Sequence, residues 1–254
     1  MNPSDPLGLA ILVAAGIGAG FINTMAGGGS MLTLPALMLL GLPADVANGT
    51  NRIAVVSQSV SGLISFSRAG KLDKSNILPI LAPTILGALA GAQLAAVLPV
   101  TYLKPALLGT MLVMATVIVA FPKAVTPPEG EEPKDLWRSP KGLAGMLLAG
   151  VYAGFVQAGV GFVLLTVLAG VLRYDLVRAN ALKLVCTLVF GLVAGGVFIY
   201  HGQVAWIPGL VLGAAAVVGS LLGVRFALSV DKQVLRKIVF VAIVAAIVAA
   251  FLNG

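Results

Sequence analysis

Beginning at Ala26, the chain copies itself. Ala26, Gly27, Gly29, Leu32, Leu40, Ala47, Asn48, Phe66, Gly70, Ala82, Gly87, Leu89, Gly91 and Ala95 return 132 positions later as Ala158, Gly159, Gly161, Leu164, Leu172, Ala179, Asn180, Phe198, Gly202, Ala214, Gly219, Leu221, Gly223 and Ala227, without a gap. A duplication of this length confines the fold to two sister halves. Because the duplicated unit is apolar, both halves are expected to share one bilayer, where such units are commonly inserted in opposite orientations.

Composition supplies the solvent. The chain is 59% hydrophobic and 10% charged, with a mean hydropathy of +1.06, whereas soluble domains are roughly half apolar and about a quarter charged. A helix needs about 20 apolar residues to cross a bilayer. Stretches of that size run from Ala44 to Ser67, Ser75 to Leu98, Thr101 to Phe121, Tyr174 to Tyr200, Trp206 to Leu228 and Val234 to Leu252. Leu7 to Leu42 and Gly142 to Leu172 are too long for one span and are broken by glycine, so each reads as a hairpin of two short helices. Arms of about 12 to 19 residues leave open whether the tips stop inside the membrane or cross a thinned bilayer. The expected fold class is an all-α integral membrane protein with two inverted-topology repeats. Each is a glycine-broken helical hairpin plus three transmembrane helices, 8 to 10 helices in total according to how the hairpins are counted.

Charge orients the halves. Pro122 to Lys141 is the one polar, proline-rich stretch and reads as a linker, so residues 1–121 form the first membrane repeat, 122–141 the linker and 142–254 the second repeat. Arg68, Lys71 and Lys74 crowd the connection after the second span, yet its counterpart, His201 to Ala205, carries no Lys or Arg. In the second half the basic connections are the others, with Arg173, Arg178 and Lys183 before one span and Arg225, Lys232, Arg236 and Lys237 before the last. Basic residues mark the cytoplasm. Equivalent loops then lie on opposite sides, with the linker cytoplasmic and both termini outside. The net charge of +7 and pI near 9.8 are accounted for by these loops, and no basic run interleaved with aromatics supports nucleic-acid binding. Met1 to Pro6 lacks the positive n-region of a cleaved signal peptide, so the first apolar segment is expected to remain in the mature chain. Cys186, the single cysteine, excludes an internal disulfide and reads as a buried, inert thiol.

Chemistry concentrates at the glycine breaks. Gly27, Gly28 and Gly29, followed by Ser30, lie between two apolar helices, as do Gly159 and Gly161. Irregular backbone at membrane depth is tolerated only against protein or a water-filled cavity, and a helix start suits an anion. The competing reading is close helix packing by small residues, preferred for Gly16 with Gly20, Gly150 with Gly154, Gly87 with Gly91 and Gly219 with Gly223. A second constellation, Ala47-Asn48-Gly49-Thr50-Asn51-Arg52, is matched by Ala179-Asn180-Ala181-Leu182-Lys183. Helical spacing puts Asn48, Asn51 and Arg52 on one side. Charge within a span is expensive and tends to be functional, although Arg52 and Lys183 could instead snorkel to head groups, and Asn48 and Asn180 could cap or bridge helices. Ser57, Gln58, Ser61 and Ser65 recur at helical spacing where the second half has Val189, Phe190, Val193 and Val197, which implies an asymmetric path. Asn23 and Gln157 precede the tips. The candidate ligand-binding residues are therefore Asn23, Gly27, Gly28, Gly29, Ser30, Asn48, Thr50, Asn51, Arg52, Gln58, Gln157, Gly159, Gly161, Asn180 and Lys183.

The acids fall in loops or at span ends, and the one histidine, His201, is in a loop. A relay of buried Asp, Glu or His, the usual sign of proton coupling, is missing. Basic residues near both tips favour an anion. An intramembrane enzyme would need a nucleophile with its base, a metal cluster or paired carboxylates, and the sequence offers none of these. Neither catalytic residues nor a cofactor are expected. A carrier and a channel use the same re-entrant elements, and the sequence leaves that choice open.

The string GAGFINTMAGGGSMLTLPALMLLGLPADVANGTNR, Gly18 to Arg52, and its echo AGFVQAGVGFVLLTVLAGVLRYDLVRANALK, Ala153 to Lys183, resemble the sulfite exporter TauE/SafE family. The glycine tip, Pro35, the Ala47 to Asn51 element and the two-repeat layout carry the likeness over essentially the whole chain. The resemblance implies an inner-membrane permease that moves sulfur oxyanions or organosulfonates such as sulfite or sulfoacetate, usually outward. Another small organic anion is the alternative cargo. The second half departs from the pattern with Ala181 and Leu182 where the first has Gly49 and Thr50, which speaks against a symmetric two-sided site. The expected partners are a small anionic substrate and the lipid bilayer, with no nucleic acid and with a homodimer left open.

Overall fold

The computed structural model describes residues 5–25, 27–72, 77–120 and 132–229, and among them every regular element is helical. In chain order these are α1 (Pro6–Met25), α2 (Ser30–Leu39), α3 (Ala44–Arg68), α4 (Ile77–Val97), α5 (Val100–Ala120), α6 (Pro140–Phe155), α7 (Val160–Leu165), α8 (Leu176–Tyr200) and α9 (Trp206–Ser229). A π-helical stretch, Thr166–Val171, continues α7. The expected spans match α3, α4, α5, α8 and α9 to within about two residues at each described end. The span expected at Val234 to Leu252 lies outside the described residues.

Among the described residues four helices are long and apolar enough to cross a bilayer: Pro6–Thr24, Ile77–Val97, Leu176–Tyr200 and Trp206–Phe226. This makes the chain an integral membrane protein. Its hairpins are less even than expected. The first arm α1 has 20 residues and α2 only 10, so at about 1.5 Å per residue α1 covers roughly 30 Å and α2 roughly half of that.

Local backbone repeats at the same spacing as the sequence. Gly27 and Gly159 have φ of 84° and 77°, Gly41 and Arg173 89° and 66°, Gly70 and Gly202 67° and 70°. After α3 the amides of Gly70 and Lys71 bond the carbonyls of Ser67 and Phe66, and after α8 those of Gly202 and Gln203 bond Ile199 and Phe198. Both helices therefore close with the same left-handed turn. Pro43 and Asp175, one residue before α3 and α8, share an extended ψ of 153°.

Small residues decide the packing. α1 lies on α9 and α4 on α6 through the glycine pairs read as packing positions. A Cβ on Gly20 would sit 2.1 Å from the Ala216 carbonyl oxygen, and one on Gly154 2.1 Å from that of Ala88. α3 and α8 pass antiparallel: Gly49 meets Phe198, Ser59 bonds Thr187 at 2.9 Å, and Gly62 meets Leu184. At one end of the bundle Gln203 donates to Ala96 O and to Asp45 Oδ2, tying the α8–α9 turn to α4 and α3. At the other end Phe66, Leu72, Val177 and Val224 pack together, and the Lys134 amide bonds Leu172 O, which joins the linker to that end.

Candidate functional site

The two glycine tips meet inside the bundle. A Cβ on Gly27 would lie 2.1 Å from Gly161 Cα, and the Gly161 amide donates to Gly27 O at 3.2 Å. Gly29 presses on Ala19 O, and Gly159 is approached by the side chains of Met31 and Met114. Gly28 alone has ordinary room, its nearest neighbour being Ile22 Cγ2 at 3.7 Å. Gly27, Gly29, Gly159 and Gly161 thus serve close backbone approach. The polar chemistry beside them comes from side chains.

Arg52, on α3, is 1% exposed and reaches across to the second hairpin. Its Nη1 donates to Ala153 O at 2.6 Å and Gln157 Oε1 at 2.7 Å, and its Nη2 to Gly154 O at 2.8 Å and Asn48 Oδ1 at 3.1 Å. Asn48 Nδ2 bonds Phe155 O, and the Phe198 ring lies 5.2 Å from the guanidinium carbon. Lys183, on α8 and fully buried, makes the reciprocal reach to the first hairpin. Its Nζ donates to Asn23 O at 2.8 Å, Thr24 O at 3.3 Å and Asn180 Oδ1 at 2.8 Å. Both heads turn inward, so the snorkelling expectation is replaced by a physical reason. The last carbonyls of α1 and α6 have no partner within their own helix and form its negative end. A cation there gains up to about 2 kcal/mol in a partly buried geometry, less than the several kcal/mol that dehydrating it costs. Among the described residues no carboxylate bonds either cation.

The remaining candidates divide. Asn51 Oδ1 accepts from Thr33 Oγ1 at 2.6 Å and its Nδ2 donates to Ser30 Oγ at 3.1 Å, holding the start of α2. Asn23 contributes its carbonyl to the Lys183 station. Gln58 is buried about a turn and a half beyond Arg52, and its carbonyl accepts from Ser220 Oγ, which also accepts from Thr24 Oγ1. Thr50 is drawn elsewhere: its Oγ1 caps the Ala205 amide in the α8–α9 connection, away from the tips. Sequence reasoning missed Thr24, Thr33, Phe198 and Ser220. Phe198 carried a signal, since it repeats Phe66, whereas the three hydroxyls carried none. A separate cavity of about 620 Å³, lined by Lys134, Asp135, Arg138, Ser139, Pro140, Lys141 and Val171, opens at the linker end.

The family model described as Sulfite exporter TauE/SafE matches residues 12–250. The chain belongs to the sulfite exporter TauE/SafE family. A relative called "Probable membrane transporter protein" from Haemophilus influenzae is 29% identical over 236 residues, covering 92% of this chain and 90% of its own. "Probable membrane transporter protein ORF9" from Sinorhizobium sp is 28% identical, covering 93% of this chain and 90% of its own. "Probable membrane transporter protein YfcA" from Escherichia coli K12 is 30% identical over 250 residues, covering 97% of this chain and 90% of its own. Family and relatives alike indicate membrane transport rather than catalysis.

Proposed function

We propose that this chain exports small sulfur-containing anions, such as sulfite or organosulfonates, across the bacterial inner membrane by alternating access. The observation that carries the reading is the pair of buried cations, Arg52 and Lys183, each bonded to the opposite hairpin and, among the described residues, neither bonded to a carboxylate. Their positive potential makes the region of the tips attractive to negative solutes, because charges act strongly where water is excluded. The cargo class rests on the family description.

The two halves, residues 1–121 and 142–254 around a linker at 122–141, are inverted-topology repeats. This is supported by the antiparallel passage of α3 and α8, the equivalent helices, and by the reciprocal pairing of α1 with α9 and α6 with α4. Rocking one half on the other would expose the tips to one side and then the other. The linker end is cytoplasmic, supported by Arg68, Lys71, Lys134, Arg138, Lys141, Arg173 and Arg178 collecting there, while Lys104 is the basic residue described at the opposite end.

Solute counterflow tests the whole reading. Purified protein in liposomes loaded with unlabelled sulfite or sulfoacetate is expected to accelerate entry of the labelled anion. Entry that ignores the internal anion, or a large single-channel current, would replace the carrier by a pore. Acceleration by dicarboxylates alone would replace the cargo.

A further inference from the structure

Two buried side-chain atoms beside the tips have no partner, and both are donors. They are Arg52 Nε and Gln157 Nε2. Their side chains already touch, through Arg52 Nη1 and Gln157 Oε1 at 2.7 Å, and are 1% and 2% exposed. Buried donors are nearly always paired, and two adjacent unpaired donors call for an acceptor. The Lys183 station has no such surplus, because its ammonium carries three protons and bonds three oxygens.

The backbone explains why the stations differ. Gly20 packs on Ala216 O and Gly150 on Thr84 O. Ala216 and Thr84 are 132 residues apart, but Gly20 and Gly150 are only 130 apart, so the first arms are out of step with the rest of the repeat. The cations obey the same shift, since Arg52 bonds Ala153 and Gly154 where Lys183 bonds Asn23 and Thr24. Between the last residue of α1 and Gly27 stands only Ala26, whereas Val156, Gln157 and Ala158 stand between the end of α6 and Gly159. The second tip is therefore longer by two residues. Gln157 sits at φ 67° and, at the 130-residue offset of the arms, answers Gly27 at φ 84°; each amide bonds the carbonyl five residues earlier, Tyr152 O and Ile22 O, so the second arm carries an amide side chain where the first has a glycine.

We infer that Arg52 and Gln157 together form the one ligand-contacting station, donating from Nε and Nε2 to two oxygens of a single oxyanion, while Lys183 is a brace that supplies positive potential without touching the ligand. This deepens the anion-transport reading and rests on it. Gln157, standing where the first arm has Gly27, is then the specificity-determining residue, and its side-chain amide lies against Arg52.

The test uses the full chain purified in detergent, titrated separately with sulfite, sulfoacetate, malonate and chloride, with thermal stabilisation as readout. Gln157→Met removes both the amide oxygen and the amide nitrogen, and Gln157→Glu keeps size and shape while adding a negative charge. Gln203→Met, which removes a half-buried, hydrogen-bonded amide at the far end of the bundle, controls for general loss of stability. Wild type is expected to be stabilised by a sulfur oxyanion. Apparent affinity should weaken tenfold or more in Gln157→Met, vanish in Gln157→Glu and stay within twofold in Gln203→Met. Unchanged affinity in Gln157→Met, retained binding in Gln157→Glu, or equal weakening in Gln203→Met would overturn the station. Binding of malonate alone that depends on Gln157 would keep the station and remove the sulfur cargo. If none of the oxyanions stabilises wild type, both readings fall.

Discussion

The Arg52 and Lys183 stations do the same structural task with different chemistry. Each cation leaves its own half, crosses to the other and covers the last carbonyls of a first hairpin arm, and each is held by an asparagine three or four residues earlier, Asn180 or Asn48. Lysine is used up by this task. Arginine has five donors in a planar fork, and after four bonds one still points away. On the inference drawn above, a duplicated unit keeps its brace in both copies and offers ligand contact in only one. Ala181 and Leu182, which stand where the first half has Gly49 and Thr50, make the halves unequal in sequence; the packing adds Gln157 opposite Gly27 and a longer second tip.

The sharpest break in this comparison is Arg52→Gln. Truncating a buried, hydrogen-bonded charge costs about 3 kcal/mol, near 100-fold at about 1.4 kcal/mol per decade. Counterflow should fall by that factor with the protein still inserted. Arg52→Lys should restore thermal stability more than transport, because an ammonium can cover Ala153 O and Gly154 O yet has no Nε to offer. Equal rescue of both would make Arg52 a brace like Lys183.

The contact between the tips sets the distance between the stations. Gly27→Ala forces a methyl to within 2.1 Å of Gly161 Cα and also strains a left-handed φ of 84°. Overpacking of about 2 kcal/mol and about 1 kcal/mol of backbone strain should together lower thermal stability by about 3 kcal/mol and halt transport. Gly70→Ala has a φ of 67° but nothing within 4 Å, so only the strain remains, about 1 kcal/mol. Equal losses in the two variants would mean that the tip contact contributes no packing energy.

Lys183→Met is expected to act more on stability than on transport. It removes three charge-assisted bonds from the end of α1, but ends the dehydration of an ammonium, so the net loss in thermal unfolding should be about 2 kcal/mol. Counterflow should fall about tenfold through the lost potential, less than for Arg52→Gln. A larger transport defect here than at Arg52 would reverse the assignment of the two stations.

Much of this was legible because membrane spans advertise themselves. The ends of α3, α4, α5, α8 and α9 were readable from apolar length and flanking charge, and the glycine pairs on α1, α4, α6 and α9 behaved as small residues between helices do. Arg52 and Lys183 were identified, but their destinations were not, because reaching Ala153 or Asn23 depends on how α3 and α8 pass each other. No local pattern encodes that passage. The two-residue shift was hidden for a related reason: residues from Ala26 onward align without a gap, and only packing of Gly20 and Gly150 reveals that the first arms do not. Thr50 misled because it sits between two true neighbours of the tip, Asn48 and Asn51, while a helix turns successive residues to different faces.

Thr50 gives the smallest and most discriminating expectation. Its hydroxyl accepts from the Ala205 amide at 2.9 Å in the α8–α9 connection, so Thr50→Val should remove one hydrogen bond worth about 1 kcal/mol. The loss should appear in thermal unfolding, with counterflow within twofold of wild type. Asn51→Leu, one residue along, frees Ser30 and Thr33 at the start of α2 and should impair transport more than stability. If Thr50→Val instead matched Asn51→Leu in transport, the α8–α9 turn would be part of the moving gate, and the division of this helix into a tip-facing side and a loop-facing side would be wrong.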